Sequence, residues 1–163
     1  KDVYTVTNDF ISHELINCYQ DDGIILEPAG VLPICGLKEL SNNINLSNKN
    51  IVCVVSGGNN DITRYGEIME LNLQYLGLKH YFLVKFIQKP GQLKNFITNV
   101  LGPYDDITRF EYVKNTNKQY GDVLIGVELS DKNDLSKLIN NLENHNFIYQ
   151  KLDKDDIVYS MLV

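Results

Sequence analysis

Hydrophobic and polar positions follow a regular succession of rhythms from residue 80 to the end of the chain. Apolar residues alternate with polar ones over 81–88, which predicts a strand, and then recur every three or four positions over 92–101, which predicts a helix. The same criteria predict the remaining elements: strands over 107–113 and 123–129, a helix over 131–142, a strand over 147–152 and a tail strand over 157–162. The order β-α-β-β-α-β is that of the α+β ferredoxin-like fold, an antiparallel sheet with two helices on one face.

The preceding part of the chain, residues 1–78, has a different rhythm, which predicts α/β structure. The predicted elements are a strand over 3–6, a helix from Asn8 or Asp9 to Tyr19, a short apolar run over 24–26, a helix through Leu37 and Leu40, and a helix from Ile62 to Gly77. Residues 51–55 are apolar on every side, which is typical of a central parallel strand covered on both faces. A parallel sheet needs several β-α units, and this part is too short to supply them. We therefore expect two domains, 1–78 and 79–163, in a piece of a longer protein.

Composition and charge exclude several classes of protein. The chain has 163 residues with a net charge of −6, and it contains no basic block, so nucleic-acid binding is not expected. No apolar run approaches the roughly 18 residues of a membrane span, and the negative charge disfavours anionic membrane surfaces, so no membrane association is expected. The three cysteines lie far apart without a CxxC pair, which indicates neither a disulfide framework nor a metal site. These features favour a protein of the reducing cytoplasm.

Two short motifs could carry chemistry. Ser56 follows the apolar run at 51–55 and is itself followed by Gly57 and Gly58, so a hydroxyl and a glycine turn would stand at the carboxyl end of a strand. The pattern matches neither the Walker motif nor GxGxxG, and a glycine turn of this kind is often purely structural. The second motif begins with Glu27, whose carboxylate could face a ligand or could simply precede a helix that starts at Pro28.

Taken together, the two motifs resemble a known enzyme family. Residues 27–30 (Glu-Pro-Ala-Gly) and 54–59 (Val-Val-Ser-Gly-Gly-Asn) look like the last stretch of the catalytic domain of fold-type-II pyridoxal-phosphate enzymes. Residues 89–93 (Lys-Pro-Gly-Gln-Leu) and 102–112 (Gly-Pro-Tyr-Asp-Asp-Ile-Thr-Arg-Phe-Glu-Tyr) are similar to the regulatory domain of biosynthetic threonine deaminases. The resemblance covers essentially all of this chain but only the C-terminal part of such an enzyme.

This resemblance implies an α/β remnant of a fold-type-II catalytic domain, followed by an ACT-like regulatory domain. The family uses pyridoxal 5′-phosphate to convert L-threonine into 2-oxobutanoate and ammonia for isoleucine biosynthesis. The resemblance implies that Ser56 hydrogen-bonds the pyridine nitrogen of the cofactor and that Gly57 and Gly58 let the backbone pass close to the ring. It also implies that Glu27 lies on the same side of the ring as Ser56. The lysine that binds the cofactor covalently and the phosphate cradle would lie upstream of Lys1, so this chain alone is not expected to be active.

The resemblance also implies an effector site at the first β-α turn of the second domain. The expected residues are Gly91, Gln92, Leu93, Leu101, Ile107 and Phe110. Free N–H groups at the start of a helix near Gln92 could receive an α-carboxylate. Leu93, Ile107 and Phe110 could line a slot for a branched side chain, although the same residues also fit a core between helix and sheet. Isoleucine and valine are the effectors expected from the family, and a homo-oligomer is the expected assembly.

Two other functions remain compatible with the residues. The chain could be a stand-alone amino-acid-sensing module in which the first part serves as a docking arm. It could also be an α/β phosphate-binding protein that uses the glycine turn after residue 55.

Overall fold

The computed structural model describes residues 3–57, 61–112, 118–153 and 156–161. The chain divides into two compact units, Lys1–Tyr75 and Leu76–Val163. The division thus falls after Tyr75, whereas the sequence rhythm predicts a boundary after Leu78.

The first unit is built from helices. They are α1 (Asn8–Asp22), α2 (Pro28–Asn43) and α3 (Tyr65–Tyr75), with a short 3₁₀ turn at Ile62–Arg64. Their apolar sides enclose one core, made of Phe10, Leu15, Ile16, Cys18, Leu26, Val31, Cys35 and Ile68. Glu14 is buried beside this core, and its carboxylate is compensated by the Lys38 ammonium at 2.6 Å. The pair lets α1 and α2 pack without leaving an isolated buried charge.

The strands predicted for this unit do not form within the described residues. Residues 3–6 and 51–55 belong to no strand, and the side chains of Val52 and Val54 are 87% and 81% exposed. The physical reason is that a strand is held by a ladder of hydrogen bonds to a neighbouring strand, and none lies beside 51–55 in this part of the chain. The prediction of a strand covered on both faces is therefore wrong for the unit as it stands.

The cysteines of this unit differ in burial. Burial, followed by the nearby Glu14 carboxylate, raises the pKa of the Cys35 thiol to about 11, and the same causes raise the pKa of the Cys18 thiol. Cys53 is only partly buried. We expect Cys53 to react first with a thiol reagent at pH 8 and Cys35 to react about 100-fold more slowly, because the thiolate is the reactive form. Mass spectrometry after timed alkylation measures this order, and equal native rates for Cys53 and Cys35 would contradict it.

The second unit has strands and helices in the predicted order as far as residue 152, and a helix follows where a tail strand was expected. Its elements are β1 (Lys79–Ile87), α4 (Gln92–Asn99), β2 (Asp106–Tyr112), β3 (Tyr120–Glu128), α5 (Asp134–Asn144), β4 (Ile148–Leu152) and α6 (Ile157–Ser160). The strands form a four-stranded antiparallel sheet in the order β2-β3-β1-β4. This confirms the ferredoxin-like arrangement, in which the two β-α-β halves interleave.

The core of this unit lies between the sheet and the helices α4 and α5. Alternate residues of β1 and β3 point to that side because side chains alternate along a strand. The buried cluster consists of Phe82, Val84, Phe86, Phe96, Val100, Val123, Ile125, Val127, Leu129, Leu138, Leu142 and Phe147.

The opposite face of the sheet is partly covered by the end of the chain. The ring of Tyr159 in α6 meets Tyr81 edge-on, with centroids 6.0 Å apart, over a small cluster that includes Leu124 and Leu152. The tail strand predicted for 157–162 is therefore wrong, since 157–160 are helical, and Leu162 lies outside the described residues. A short apolar run cannot be assigned to helix or strand by periodicity alone.

Candidate functional site

Ser56 and Glu27 form one polar site in the first unit, although 29 positions separate them along the chain. The Ser56 hydroxyl donates a hydrogen bond to Glu27 Oε1 at 2.8 Å. The Glu27 backbone N–H in turn donates to the Ser56 carbonyl oxygen at 3.3 Å. Ser56 is exposed and Glu27 is half-buried, so the pair lies at the surface of the first unit and not in its core.

The start of α2 places Glu27 beside Ser56. Glu27 is the N-cap residue with an extended backbone, and Pro28 occupies the first helical position, where a missing N–H does no harm. Gly30 lies in the first turn, and a Cβ added there would lie only 1.7 Å from the Ser56 carbonyl oxygen. The first turn of α2 therefore touches the backbone of Ser56 directly, and only glycine allows that approach.

Gly57 has a structural role in the same region. A Cβ on Gly57 would lie 2.3 Å from the carbonyl oxygen of Ile25. A glycine is thus required at position 57 for this segment to pack against the backbone of Ile25. Gly58, the other glycine expected at the cofactor, lies outside the described residues.

The side chains of this site fit the polar edge of a heteroaromatic ring. A serine hydroxyl can donate one hydrogen bond and accept two, so it can contact a ring nitrogen in either role. In this structure its hydrogen is donated to Glu27 Oε1, and the oxygen retains lone pairs that can accept a hydrogen bond. Within the described ranges, no group of three or more His, Cys, Asp or Glu residues is placed to hold a metal ion.

A groove of about 390 Å³ lies along the outer side of α4 in the second unit. It is lined by Gly91, Leu93, Lys94, Ile97 and Thr98. Gly91 is the N-cap residue and has a φ of +91°, which favours glycine. Leu93 and Ile97 are one turn apart on the helix and are 42% and 48% exposed, so they form an apolar stripe that the core does not use.

The structure does not bring all the expected effector residues to this groove. Gly91 and Leu93 line it, and Gln92 begins α4 beside them. Leu101, Ile107 and Phe110 pack against the core of the unit instead. An irregularity in the pairing of β2 with β3 between Ile107 and Arg109 explains the inward direction of Ile107 and Phe110, because one extra residue reverses the alternation of side chains between them.

Three groove residues were not singled out from the sequence: Lys94, Ile97 and Thr98. The four-residue spacing of Leu93 and Ile97 did indicate a second apolar stripe on this helix. The sequence alone does not show which of the apolar residues at 93, 96, 97 and 100 face the core and which face the groove. Only packing shows that Phe96 and Val100 are buried and that Ile97 is not.

A second groove of about 300 Å³ lies on the sheet face away from α4 and α5. It is lined by Leu83, Lys85, Asp122, Ile148, Tyr149 and Gln150. Lys85 and Asp122 face each other across β1 and β3, with Nζ and Oδ1 3.7 Å apart. Both side chains are largely exposed, so the ion pair contributes little stability.

Comparison with known proteins defines the family. The profile of the C-terminal regulatory domain of threonine dehydratase matches residues 70–162. The chain belongs to this family. The resemblance to biosynthetic threonine deaminases, which is another name for these dehydratases, is thereby confirmed.

Curated relatives extend the similarity over the first unit. The biosynthetic L-threonine dehydratase IlvA of Halalkalibacterium halodurans is 44% identical over 100% of this chain, which corresponds to 39% of that protein. The IlvA proteins of Corynebacterium glutamicum and Bacillus subtilis are 45% and 41% identical over 97% and 99% of the chain, which cover 36% and 38% of their lengths. The chain thus spans less than two fifths of the relatives it matches. Among the described helices, none is long and apolar enough to cross a bilayer.

Proposed function

We propose that this chain is the C-terminal part of a threonine ammonia-lyase that converts L-threonine into 2-oxobutanoate and ammonia for isoleucine biosynthesis. In this proposal residues 1–78 complete a pyridoxal-phosphate-dependent catalytic domain and residues 79–163 form an ACT-like regulatory domain. One observation carries it: the identity to the relatives runs through the first unit, upstream of the regulatory match that begins at residue 70. A stand-alone sensing module would need no such upstream likeness.

The exposed segment at 51–55 supports the assignment of the first unit to a larger domain. Val52 and Val54 leave most of their surface in water, although such side chains gain roughly 1.5–3 kcal/mol each on full burial. Further parallel strands of a catalytic domain would supply the missing hydrogen-bond ladder, and the helices that connect such strands would cover these side chains. Ser56 would then lie at the carboxyl end of a completed strand, which is where α/β domains bind ligands.

Ser56 is the residue that we assign to the pyridine nitrogen, with Glu27 beside it and with Gly57 and Gly58 along the ring. When bound, the cofactor supplies the electron sink for removal of the α-proton of threonine and loss of its β-hydroxyl. The contribution of this chain is to hold and orient the ring through the Ser56 oxygen, whose position is set by α2.

Replacing Ser56 by aspartate tests this assignment in the full-length enzyme. A second carboxylate would stand next to that of Glu27, and the repulsion is expected to displace the side chain from the ring. We expect the affinity for pyridoxal phosphate to fall about 10-fold or more, which corresponds to about 1.4 kcal/mol of binding free energy. The absorbance of the bound cofactor is expected to change as well. Ser47→Asp, at another exposed serine, is the matched control. Unchanged affinity and spectrum in Ser56→Asp would refute the assignment.

For the second unit we propose that the groove on α4 binds an amino-acid effector, with isoleucine and valine as candidates. The first N–H groups of α4 and the Lys94 ammonium would receive the α-carboxylate. Leu93 and Ile97 would contact the branched side chain, and their present exposure supports this.

Calorimetric titration of the full-length enzyme with isoleucine and with valine tests the effector site. Leu93→Asp is expected to weaken effector binding about 10-fold or more, because it places a charged group where the apolar branched side chain of the effector would lie. Ile148→Asp makes the same kind of change in the groove on the other side of the sheet and is expected to leave binding unchanged. If Ile148→Asp weakens binding and Leu93→Asp does not, the effector binds on the sheet face and the proposal is wrong.

We further propose that the full-length enzyme is a cytoplasmic homo-oligomer. The edge strands β2 and β4 have backbone groups that a neighbouring strand can pair with. The cysteines of this chain are free, as in a reducing compartment.

A further inference from the structure

The connection between α3 and β1 consists of Leu76, Gly77 and Leu78, and the second unit holds two of its carbonyl groups. The ring of His80 donates a hydrogen bond from Nε2 to the Gly77 carbonyl oxygen at 2.9 Å. The Leu129 backbone N–H donates to the Leu78 carbonyl oxygen at 2.8 Å. A carbonyl oxygen only accepts, so the His80 ring carries a hydrogen on Nε2 whether the ring is neutral or charged.

The backbone of Gly77 makes a turn that the ring of His80 closes. Gly77 has a φ of +72°, the left-handed conformation that favours glycine. The side-chain bond from His80 spans only three positions of the chain, so it ties this turn to the first residues of β1. The conformation of the connection therefore depends on one side chain of the sheet.

The first unit holds the chain on the other side of this connection. Tyr75 is the last residue of α3, and its ring stacks on that of His13 at 4.6 Å and on that of Phe10 at 5.5 Å, measured between centroids. Both partners belong to α1. Only Leu76 separates Tyr75, which is held in the first unit, from Gly77, which is held in the second. A change in the backbone at Gly77 thus has a single residue in which it can be absorbed before it reaches α3.

The strand β1 runs from this connection to the candidate effector groove. His80 lies at the start of β1, and the turn that leads to Gly91 follows its end. β1 is nine residues long, about 30 Å, and it pairs with β3 on one side and β4 on the other. Because hydrogen-bond ladders on both sides resist bending, a displacement at one end of β1 is carried to the other.

We propose that His80 is a positioning residue that couples the effector groove to α3 through its hydrogen bond to Gly77. This bond is the element with two states: when made, it ties the connection to β1, and when broken, it releases Gly77 from that strand. An effector that binds one state more tightly shifts the population toward it. The inference rests on the proposed function, since it needs an effector in the groove and a catalytic domain that responds.

His80→Phe in the full-length enzyme tests the coupling, because phenylalanine keeps a flat ring but has no N–H to donate. We expect isoleucine and valine still to bind, as measured by calorimetry. Their effect on kcat/KM for threonine is expected to fall below about 2-fold, whereas allosteric coupling typically amounts to roughly 5-fold or more.

His80→Gln is the rescue variant, because its amide nitrogen lies the same number of bonds from Cα as the ring Nε2 and can donate to a carbonyl. It is expected to retain most of the effector response. His145→Phe makes the ring substitution at an exposed histidine of the same unit and should leave the response unchanged. Loss of effector binding and of the response together, in both His80 variants, would show a purely structural role and overturn the inference.

Hydrogen exchange in the unmodified full-length enzyme gives a second readout that needs no variant. Saturating isoleucine or valine is expected to change the protection of the amides at 76–80 and of the Leu129 amide, which bonds the connection. Unchanged protection at these positions overturns the inference even if His80→Phe does not fold.

Calorimetry and kinetics together separate this inference from the proposed function. If neither isoleucine nor valine binds the unmodified enzyme, the effector function fails and the role of His80 fails with it. If they bind and change kcat/KM equally in the unmodified enzyme and in His80→Phe, the effector function stands and the role of His80 is wrong. Binding without any change in kcat/KM of the unmodified enzyme also overturns the inference, since nothing is then coupled.

Discussion

Gly30→Ala is expected to disrupt the junction between α2 and Ser56. The added Cβ would lie 1.7 Å from the Ser56 carbonyl oxygen, 2.6 Å from its carbonyl carbon and 2.9 Å from its nitrogen. All three are backbone atoms, so no side-chain rotation relieves the overlap, and either the helix or the segment at 51–57 must move. We expect a loss of about 3 kcal/mol or more in the free energy of unfolding of the first unit, at the upper end of overpacking effects.

Gly36→Ala is the matched control for this change, because Gly36 lies in the same helix and a Cβ there meets nothing within 4 Å. Alanine in a helix interior is more favourable than glycine by about 0.5–1 kcal/mol, so the control should stabilise the unit. Hydrogen exchange of the α1 and α2 amides in the full chain measures both effects. Equal protection in Gly30→Ala and Gly36→Ala would show that α2 does not contact Ser56 as described.

Gly30→Ala also links the stability of the first unit to the candidate site. Because α2 positions Glu27, displacement of the helix is also expected to separate the carboxylate from the Ser56 hydroxyl. In the full-length enzyme Gly30→Ala should therefore reduce cofactor binding, whereas Gly36→Ala should not. This outcome would connect the packing of the first unit with its proposed role.

Phe86→Ala is expected to have the largest effect in the second unit. Phe86 is 1% exposed, and its ring lies 5.6 Å from those of Phe96 and Phe147, 6.0 Å from Tyr112 and 6.2 Å from Phe110, measured between centroids. The substitution leaves a cavity where β1, β2 and α4 meet. We expect a loss of about 3–5 kcal/mol, the usual range for a buried phenylalanine.

Hydrogen exchange of the β1 and β3 amides in the full chain measures the loss in this unit separately from the first. Ile148→Ala is the control, because that side chain on the edge strand β4 is 54% exposed. Its effect is expected to stay within about 0.5 kcal/mol. Comparable losses of protection in the two variants would contradict the placement of Phe86 at the centre of the core.

The order of elements from β1 to β4 in the second unit was predictable from the sequence because each of these elements buries one face against the same core. Alternation over 81–88 and helical spacing over 92–101 follow from that burial, so the pattern carries the topology with it. The orientation of Ile107 and Phe110 was not predictable. Their common inward direction depends on an irregularity in the pairing of β2 with β3, which is a property of two strands and leaves no mark in the spacing of one.

In the first unit, one apolar segment has a sequence pattern that its structure does not match. Its helices were predictable, but residues 51–55 carry the pattern of a covered strand while lying unpaired within the described chain. An apolar pattern records the surroundings that a segment requires, whereas a ladder forms only when a partner strand is adjacent. The relatives are more than twice as long as this chain, which spans less than two fifths of them. Their additional length is consistent with the partner strands that the apolar pattern at 51–55 requires.

Local periodicity by itself determined the ferredoxin-like order of the second unit, and short motifs marked Glu27 and Ser56 as candidates, because each depends on neighbours close in the chain. The family and the candidate Gly91 followed from the resemblance of these motifs and of residues 89–112 to a known family. Tertiary structure alone decided that Glu27 receives the Ser56 hydrogen, that Gly30 must lack a side chain, and that the α4 groove excludes Ile107 and Phe110. The reason is physical: hydrogen-bond direction and close approach are set by atoms brought together from distant positions, and one-dimensional spacing contains no distances between them.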